Sequence, residues 1–291
     1  MKRTDCFKIL LAVVLLCLFV CCPAMAQEAP PYEEPPYEEP RYTDEELKQF
    51  PSTFFPPTDN YLAVLKGSIQ PISFFAVHWA EQPFDGRTLK QVAMTNGENI
   101  QFTLNEVQIS DISDRMGSRS LLTDASFPEA GRFEFDRIDL LFTDGSRSTY
   151  PIGRFVIEVF DDVDSGVLNT YSTVAMTSNN TYLPCEYIWT RDGLEFAGLE
   201  LDLAAKAELE FVEESTCPYE GEPNTPCFVI KVRLKASYPT FYHFILPRVC
   251  VMVDGEEQHV YPKFGCYCGG LFVSENLALE SYAAWHMSKA L

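Results

Sequence analysis

Two cysteines one residue apart are the clearest chemical signal in the sequence. Cys266 and Cys268 flank Tyr267, and Cys250 and His259 lie a short distance upstream. Neighbouring thiols with an imidazole nearby can bind a soft transition metal, or they can exchange disulfides where one thiolate is stabilised. Thiol–disulfide oxidoreductases have two residues between their cysteines, and this pair has only one. The pair is therefore a candidate for redox or metal chemistry that lacks the complete motif.

Three acidic residues in a short turn form a second candidate site for a metal ion. Asp161, Asp162 and Asp164 precede Gly166, and carboxylate oxygens are the ligands that calcium prefers. The spacing does not match the twelve-residue calcium loop, because its fifth position has no acid and its terminal glutamate is missing. A solvated turn is the simpler interpretation, and we expect no cofactor.

Motifs of known catalytic classes are missing from the sequence. It contains no Gly-x-Ser-x-Gly, His-Glu-x-x-His, Walker loop or paired-glycine dinucleotide motif. His78, one of only four histidines, stands beside Trp79 in an apolar segment and is interpreted as a core residue. We therefore expect no catalytic residue, although a hydrolase with two paired carboxylates would leave no sequence signature.

The first 26 residues have the layout of a cleavable export signal. A basic start is followed by an uncharged apolar run over 9–22 and by the small-x-small sequence Ala24-Met25-Ala26. The apolar run is shorter than the roughly 20 residues of a membrane-spanning helix. We expect cleavage after Ala26, a soluble mature chain and a periplasmic or extracellular location. Retention of the leader as an anchor is the alternative.

Export would place the cysteines in an oxidising environment. Four of the ten cysteines lie in the leader, so an even number remains in the mature chain. Cysteines of exported chains most often form disulfides, and the fifteen pairings of six cysteines stay open. We expect disulfide bonds among six residues: Cys185, Cys217, Cys227, Cys250, Cys266 and Cys268.

The chain is strongly acidic, with a net charge of −20 at pH 7. Removal of the basic leader would make it more acidic still. Such a surface repels phosphate backbones, which excludes nucleic acid as a partner. It suits solubility, cations or basic partners, and a protein or a glycan is the kind of ligand that we expect.

Residues 27–52 predict a disordered linker. Pro30-Pro31-Tyr32-Glu33-Glu34 is repeated over 35–39. Proline pairs favour an extended polyproline-II path, and repulsion between the glutamates extends it further. Near the end of the linker, Thr43 and Glu46 have the spacing of a capping box for a short helical turn.

From Tyr61 onward, apolar residues alternate with polar ones, as in half-buried strands. Asp144-Gly145 and Asp254-Gly255 each lie between two such segments and predict hairpin turns. The segment 194–211 is ambiguous between a helix and a tight link joining two strands. The acidic, proline-containing segment 213–227 predicts a loop.

These features predict a mainly all-β protein with two tandem immunoglobulin-like β-sandwich units over 53–150 and 151–270. A C-terminal helix is expected over 271–291, packed on the second unit. Val92-Ala93-Met94-Thr95 matches Val174-Ala175-Met176-Thr177, which indicates a duplication.

The function that fits these predictions is that of an exported, non-catalytic binding or envelope-structural module displayed on a proline- and glutamate-rich spacer. Two alternatives stay open. One is a thiol-redox or metal-binding protein centred on Cys266 and Cys268. The other is a carboxylate-dependent hydrolase of unrecognised type.

Overall fold

The computed structural model describes the chain in segments: 42–79, 83–94, 101–111, 116–169, 183–189, 194–203, 206–219, 222–235, 242–262, 266–269, 279–280 and 282–283. Side chains are described for only part of these segments. Among the described residues, no helix combines the length and hydropathy that crossing a membrane requires.

Strands dominate the described residues. A short helix, α1 (Asp44–Leu47), comes first, and a 3-10 turn (Pro83–Gly86) lies between two of the strands. The first eight strands are β1 (Thr53–Phe54), β2 (Thr58–Leu65), β3 (Ile69–His78), β4 (Leu89–Met94), β5 (Gln101–Asp111), β6 (Gly117–Ser126), β7 (Gly131–Phe142) and β8 (Arg147–Phe160). The later strands are β9 (Leu168–Asn169), β10 (Leu183–Trp189), β11 (Leu194–Glu200), β12 (Lys206–Tyr219), β13 (Glu222–Lys235), β14 (Tyr242–Leu246), β15 (Arg248–Val253), β16 (Glu256–Val260) and β17 (Cys266–Gly269).

The strands form three sheets. A ten-stranded sheet has the order β1-β3-β6-β5-β4-β7-β8-β2-β14-β17. A four-stranded sheet has the order β12-β13-β10-β9, and a three-stranded sheet has the order β11-β15-β16. The predicted all-β fold class is confirmed.

The ten-stranded sheet folds over on itself into two layers. Phe74 of β3 and Phe155 of β8 lie far apart in the strand order, yet their ring centroids are 5.8 Å apart. Both rings belong to one buried core with residues of β1–β4, β6, β7 and β8. This layered packing is that of a β-sandwich, in which side chains of two inner faces interdigitate.

The predicted boundary between residues 150 and 151 lies inside β8. This strand continues from Arg147 to Phe160 and pairs with β7 on one side and β2 on the other. The first sandwich therefore extends to Phe160. The second Val-Ala-Met-Thr sequence, at 174–177, lies outside the described residues, so the duplication stays a hypothesis.

Both predicted hairpins are present. Asp144-Gly145 lies in the turn between β7 and β8, and Asp254-Gly255 connects β15 to β16. Asp254 has φ 53° and Gly255 has φ 83°, the two positive values that a type I′ turn requires. The ambiguous segment 194–211 contains the strands β11 and β12, so the interpretation as a link between strands is the correct one.

The prediction of a loop over 213–227 is wrong. These residues belong largely to β12 and β13, which pair as a long antiparallel hairpin. Irregular register between Val212 and Ser215, and again between Cys217 and Tyr219, accommodates the poor strand formers.

Residues 42–52 belong to the folded part of the chain instead of the predicted disordered linker. The Thr43–Glu46 capping box is formed, and Leu47 is buried in the core of the first sandwich. Phe50 makes ring contacts with Tyr42 and Tyr282. Residues 27–41 lie outside the described ones.

The described C-terminal residues pack on the first sandwich, whereas packing on the second unit was predicted. Residues 279–280 and 282–283 are helical. Leu279 is fully buried in the core of the first sandwich, and the ring of Tyr282 lies 4.6 Å from that of Phe54. Leu47 of α1 and Leu279 thus belong to the same core.

Strand β2 is connected to its neighbours by buried polar side chains as well as by its backbone. Thr58 Oγ1 donates to the Ile152 carbonyl at 2.9 Å, and Asn60 Nδ2 donates to Thr58 Oγ1 at 2.9 Å. The Phe244 amide donates to Asn60 Oδ1 at 2.6 Å. These bonds join β2 to β8 and to β14 in the dry interior.

A second set of polar side-chain contacts between strands lies on the other face of β2 and β8. We refer to such contacts as joints. Asp202, just after β11, accepts hydrogen bonds from Arg132 and from Arg154, the latter at 3.2 Å. Arg154 also contacts the buried carboxylate of Asp59 at 3.4 Å. Burial alone would raise the pKa of Asp202, but the two arginines lower it below its usual value. This ion-pair network connects the first sandwich to the chain that follows β11.

Replacement of Gly153 by alanine should destabilise the protein strongly. Gly153 has φ +89°, and a Cβ there would lie 2.2 Å from the Thr58 carbonyl oxygen and 2.5 Å from its nitrogen. Those backbone atoms cannot move without breaking the β2–β8 pairing. We expect Gly153→Ala to lower the free energy of unfolding by at least about 3 kcal/mol, measured by urea denaturation.

Gly145→Ala is the matched control. Gly145 has a similar φ of +85°, but no atom of the described residues lies within 4 Å of the added methyl group. Only the conformational strain remains, and about 1 kcal/mol is expected. Equal losses of unfolding free energy in the two variants would mean that overlap with Thr58 does not cause the destabilisation by Gly153→Ala.

Candidate functional site

A cluster of polar side chains lies on the outer face of the three-stranded sheet. Val249, Val251 and Val253 of β15 are buried towards the core. Because successive residues of a strand point to opposite faces, Arg248 and Cys250 point to the other side. We refer to the side chains gathered there as the Arg248 cluster, which comprises Asp162, Glu200, Arg248, Cys250, Glu257, His259 and Tyr261.

Strand register brings the members together. Arg248 of β15 pairs with Glu200 of β11, and Cys250 pairs with His259 of β16. Asp162 reaches the same face from the segment after β8. The cluster therefore combines residues from four parts of the chain.

Arg248 is the centre of the cluster. Its Nη1 donates to Glu200 Oε2 at 2.8 Å, and its Nη2 donates to Asp162 Oδ2 and to His259 Nδ1, the latter at 2.7 Å. Only 12% of the side chain is exposed. Burial alone would lower the pKa of Arg248, but the hydrogen bonds to Glu200 and Asp162 raise it above its usual value. The guanidinium is thus permanently charged.

Aromatic rings support the guanidinium. The Arg248 Cζ atom lies 4.3 Å from the Phe160 ring centroid and 5.8 Å from that of Tyr261, distances at which a cation is attracted to a ring face. The Tyr261 hydroxyl donates to Asp162 Oδ2 at 2.7 Å. Burial, and next this bond, raise the pKa of Tyr261, while the bond from Tyr261 is the main cause that lowers the pKa of Asp162.

The contacts of His259 define its tautomer. Because Arg248 can only donate, His259 Nδ1 accepts. The ring proton then lies on Nε2, which is 3.3 Å from Glu257 Oε1. This assignment follows from the hydrogen-bond pattern.

Cys250 is a buried free thiol in this structure. Its Sγ lies 3.9 Å from Glu200 Oε1. Burial, and next the charge of Glu200, raise the pKa of Cys250 to about 11. The thiol is therefore protonated at neutral pH and is a poor nucleophile.

The predicted acidic candidates for a metal site do not act together. Asp161 forms an ion pair with Lys66 at 3.2 Å, and Asp164 Oδ1 accepts a hydrogen bond from the Gly166 amide. Asp162 alone belongs to the Arg248 cluster. The three carboxylates thus make three separate contacts.

The cysteines are distributed over several sheets. Cys266 and Cys268 lie on β17 and pair with Ile245 and His243 of the ten-stranded sheet, whereas Cys250 and His259 lie in the three-stranded sheet. The side chains of the other five mature cysteines are outside the described ones: Cys185, Cys217, Cys227, Cys266 and Cys268. The expected disulfide bonds and the redox interpretation of Cys266 and Cys268 stay predictions.

Sequence reasoning named some members of this cluster and missed others. Cys250, His259 and Asp162 were candidates, whereas Glu200, Arg248, Glu257 and Tyr261 were not. The Asp254-Gly255 turn was the available signal, because a two-residue turn puts Cys250 opposite His259 and would also have put Arg248 near Tyr261. No local signal places Glu200 beside Arg248.

Comparisons with known proteins give no family for the chain. No protein-family model matches it, and no curated protein matches it.

Some solved structures are similar to it at low identity. A protein of unknown function from Porphyromonas gingivalis W83 is 10% identical over 75% of this chain and 100% of its own, with a TM-score of 0.23. The titin domains Z1Z2 in complex with telethonin are 13% identical over 74% of this chain and 94% of their own, with a TM-score of 0.19. The fibronectin(III)-like modules of Clostridium thermocellum CbhA are 13% identical over 72% of this chain and 93% of their own, with a TM-score of 0.18. TM-scores this low support no inference about function.

Acid should remove the stabilising effect of Asp162. Its pKa is lowered in the folded protein, so its contribution is present above the usual value of 3.8 and is lost as the pH falls through the folded value. At about pH 7, Asp162→Asn should lower the free energy of unfolding by about 1 kcal/mol. The difference in unfolding free energy between this variant and the unmodified protein should become smaller below pH 3.8, as measured by urea denaturation at several pH values.

Asp164→Asn provides the control, since it makes the same charge change in the same turn without an arginine contact. A difference for Asp162→Asn that stays constant with pH, or equals that of Asp164→Asn, would contradict the assignment.

The free thiol of Cys250 has a consequence for the thiol count. In a chain cleaved after Ala26, five other cysteines remain, and an odd number cannot pair completely within one chain. Titration of the denatured monomer should therefore find at least two thiols, one of which is lost in Cys250→Ser. In the native protein the Cys250 thiol should react slowly, because it is only 8% exposed. A denatured monomer without thiols would mean that Cys250 forms a disulfide.

Proposed function

We propose that this protein is an exported, non-catalytic β-module that binds a protein or a glycan, or that serves in envelope architecture. Its folded head would begin near Tyr42, and the proline- and glutamate-rich segment before it would act as a spacer. The observation that carries the proposal is the use of charged side chains as joints between strands.

Two arginines illustrate this use. Arg154 contacts Asp59, Glu134 and Asp202, and Arg248 contacts Asp162 and Glu200. A planar guanidinium with five donors suits such shared, partly buried ion pairs. Groups that are held in this way stiffen a scaffold, and they are not available as acids or bases.

The thiol at the centre of the cluster supports the same conclusion. A nucleophilic cysteine needs a lowered pKa, usually from a nearby cation. In Cys250 the pKa is instead raised to about 11, by burial and by the Glu200 charge. This arrangement favours a structural or ligand-binding thiol over a reactive one.

The sequence supports export. The basic start, the apolar run over 9–22 and the small-x-small sequence at 24–26 form a complete leader pattern. The proline pairs over 30–36 favour an extended path between this leader and the head.

Export is tested by producing the full chain, with a C-terminal tag, in a secreting host. The exported fraction should contain a chain that begins at Gln27, as determined by intact mass and N-terminal sequencing. Ala26→Arg, which places a large residue at the cleavage site, should block processing. Unprocessed chain that stays inside the cell would contradict the proposal.

The spacer and binding roles are tested with a variant that lacks residues 28–41. The head should keep its unfolding midpoint, because the described packing contacts begin at Tyr42. Cross-linking with a membrane-impermeant reagent should link the unmodified protein to one reproducible envelope protein or glycan, and should do so less in the variant. A lower unfolding midpoint would assign the segment to the folded head, and equal cross-linking would remove the spacer role.

A further inference from the structure

Three side chains of different ligand chemistry lie together on the outer face of the three-stranded sheet. Glu200, Cys250 and His259 each offer one ligand atom, and these atoms all lie within 4.8 Å of one another. A carboxylate oxygen, a thiolate sulfur and an imidazole nitrogen are the ligands that zinc takes in proteins. We propose that these three residues bind a divalent transition-metal ion, with zinc(II) as the best match.

The sheet places the three ligands on adjacent strands. Cys250 is directly opposite His259 in the β15–β16 hairpin, and Glu200 follows two residues after Gly198, which is opposite Cys250. Among the described residues, no atom lies within 4 Å of the position that a Gly198 Cβ would occupy. Three protein ligands would leave a fourth position for water.

The charge of the cluster favours a divalent cation. Asp162, Glu200 and Glu257 bring three negative charges, while Arg248 brings one positive charge. The thiolate that Cys250 forms on binding adds one more negative charge, so a divalent ion neutralises two of an excess of three. The acidity of the whole chain, at −20, further raises the local concentration of cations.

Arg248 and the metal can share Glu200. The guanidinium is bound to Oε2, whereas Oε1 is the oxygen that faces the Cys250 sulfur at 3.9 Å. A metal at His259 Nδ1 must displace the contacts with Arg248 and Asp162, whereas a metal at Nε2 must displace the contact with Glu257. The contact that remains then orients the ring, as partners of metal-bound histidines commonly do.

Metal binding must displace the thiol proton. The sulfur–hydrogen bond of Cys250 breaks, the electron pair stays on sulfur and binds the metal, and the proton passes to solvent. Since binding releases this proton, the apparent affinity should rise with pH.

The experiment uses the purified mature chain, freed of metal with a chelator. Cobalt(II) should bind at one equivalent and give the near-ultraviolet absorption of a thiolate–cobalt bond, and zinc(II) should displace it. Zinc should also raise the unfolding midpoint. Cys250→Ser should abolish the thiolate band, and His259→Gln and Glu200→Gln should each lower zinc affinity at least about tenfold.

Two controls make the result specific to this site. Asp164→Asn removes the same charge as Glu200→Gln, from a nearby carboxylate that is not a ligand, and should keep full affinity. The double variant Cys266→Ser, Cys268→Ser should also keep it. Circular dichroism and the metal-free unfolding midpoint identify any variant that fails to fold, in which case the remaining ligand variants decide.

Several outcomes would overturn the proposal. One is cobalt binding without a thiolate band in the unmodified protein. Another is full zinc affinity in the Cys250→Ser or His259→Gln variant. Equal losses in Glu200→Gln and Asp164→Asn would indicate diffuse attraction by the acidic surface, and loss of binding in the double variant would place the metal at Cys266 and Cys268. None of these outcomes bears on export, cleavage or cross-linking, so the two proposals fail independently.

Discussion

Strand β2 connects parts of the protein that are far apart in sequence. It is bonded in parallel to β8 on one side and to β14 on the other. The register depends on Thr58 and Asn60, whose buried side chains bond to both neighbours. It also depends on Gly153, because any Cβ there would overlap the backbone of β2. The folded-over sheet, its core and the joint at Asp202 are all arranged around this strand.

The excess of acidic over basic residues explains why single arginines connect several carboxylates in these joints. The chain has 22 lysines and arginines against 42 acidic residues. Arginine can bind several carboxylates at once through its planar fork, and Arg154 and Arg248 each do so. The same imbalance leaves negative charge unneutralised around Arg248, which makes one cluster both a structural joint and a candidate metal site.

The sequence predicted those features that depend on local chemistry. The Asp254-Gly255 turn was predicted, and the pairing of Cys250 with His259 follows from its length. The pairing of Glu200 with Arg248 depends on a strand contact that no turn specifies, so it could not be predicted. A boundary was predicted between residues 150 and 151, but β8 runs through it, and Pro151 lies at an irregularity in the register with β7, where a missing amide hydrogen is tolerated. The ends of the chain were misplaced because packing on the first sandwich is decided by shape and not by composition.

The burial of Phe244, Leu246 and Leu279 in the core of the first sandwich has a consequence for folding order. A ribosome delivers residues 53–160 long before these side chains exist. Until they arrive, the free edge of β2 and an unfilled part of the core face solvent. Contacts across so many residues slow folding and prolong exposure to aggregation. The core of the first sandwich is therefore complete only after the segments that carry Phe244, Leu246 and Leu279 have been synthesised.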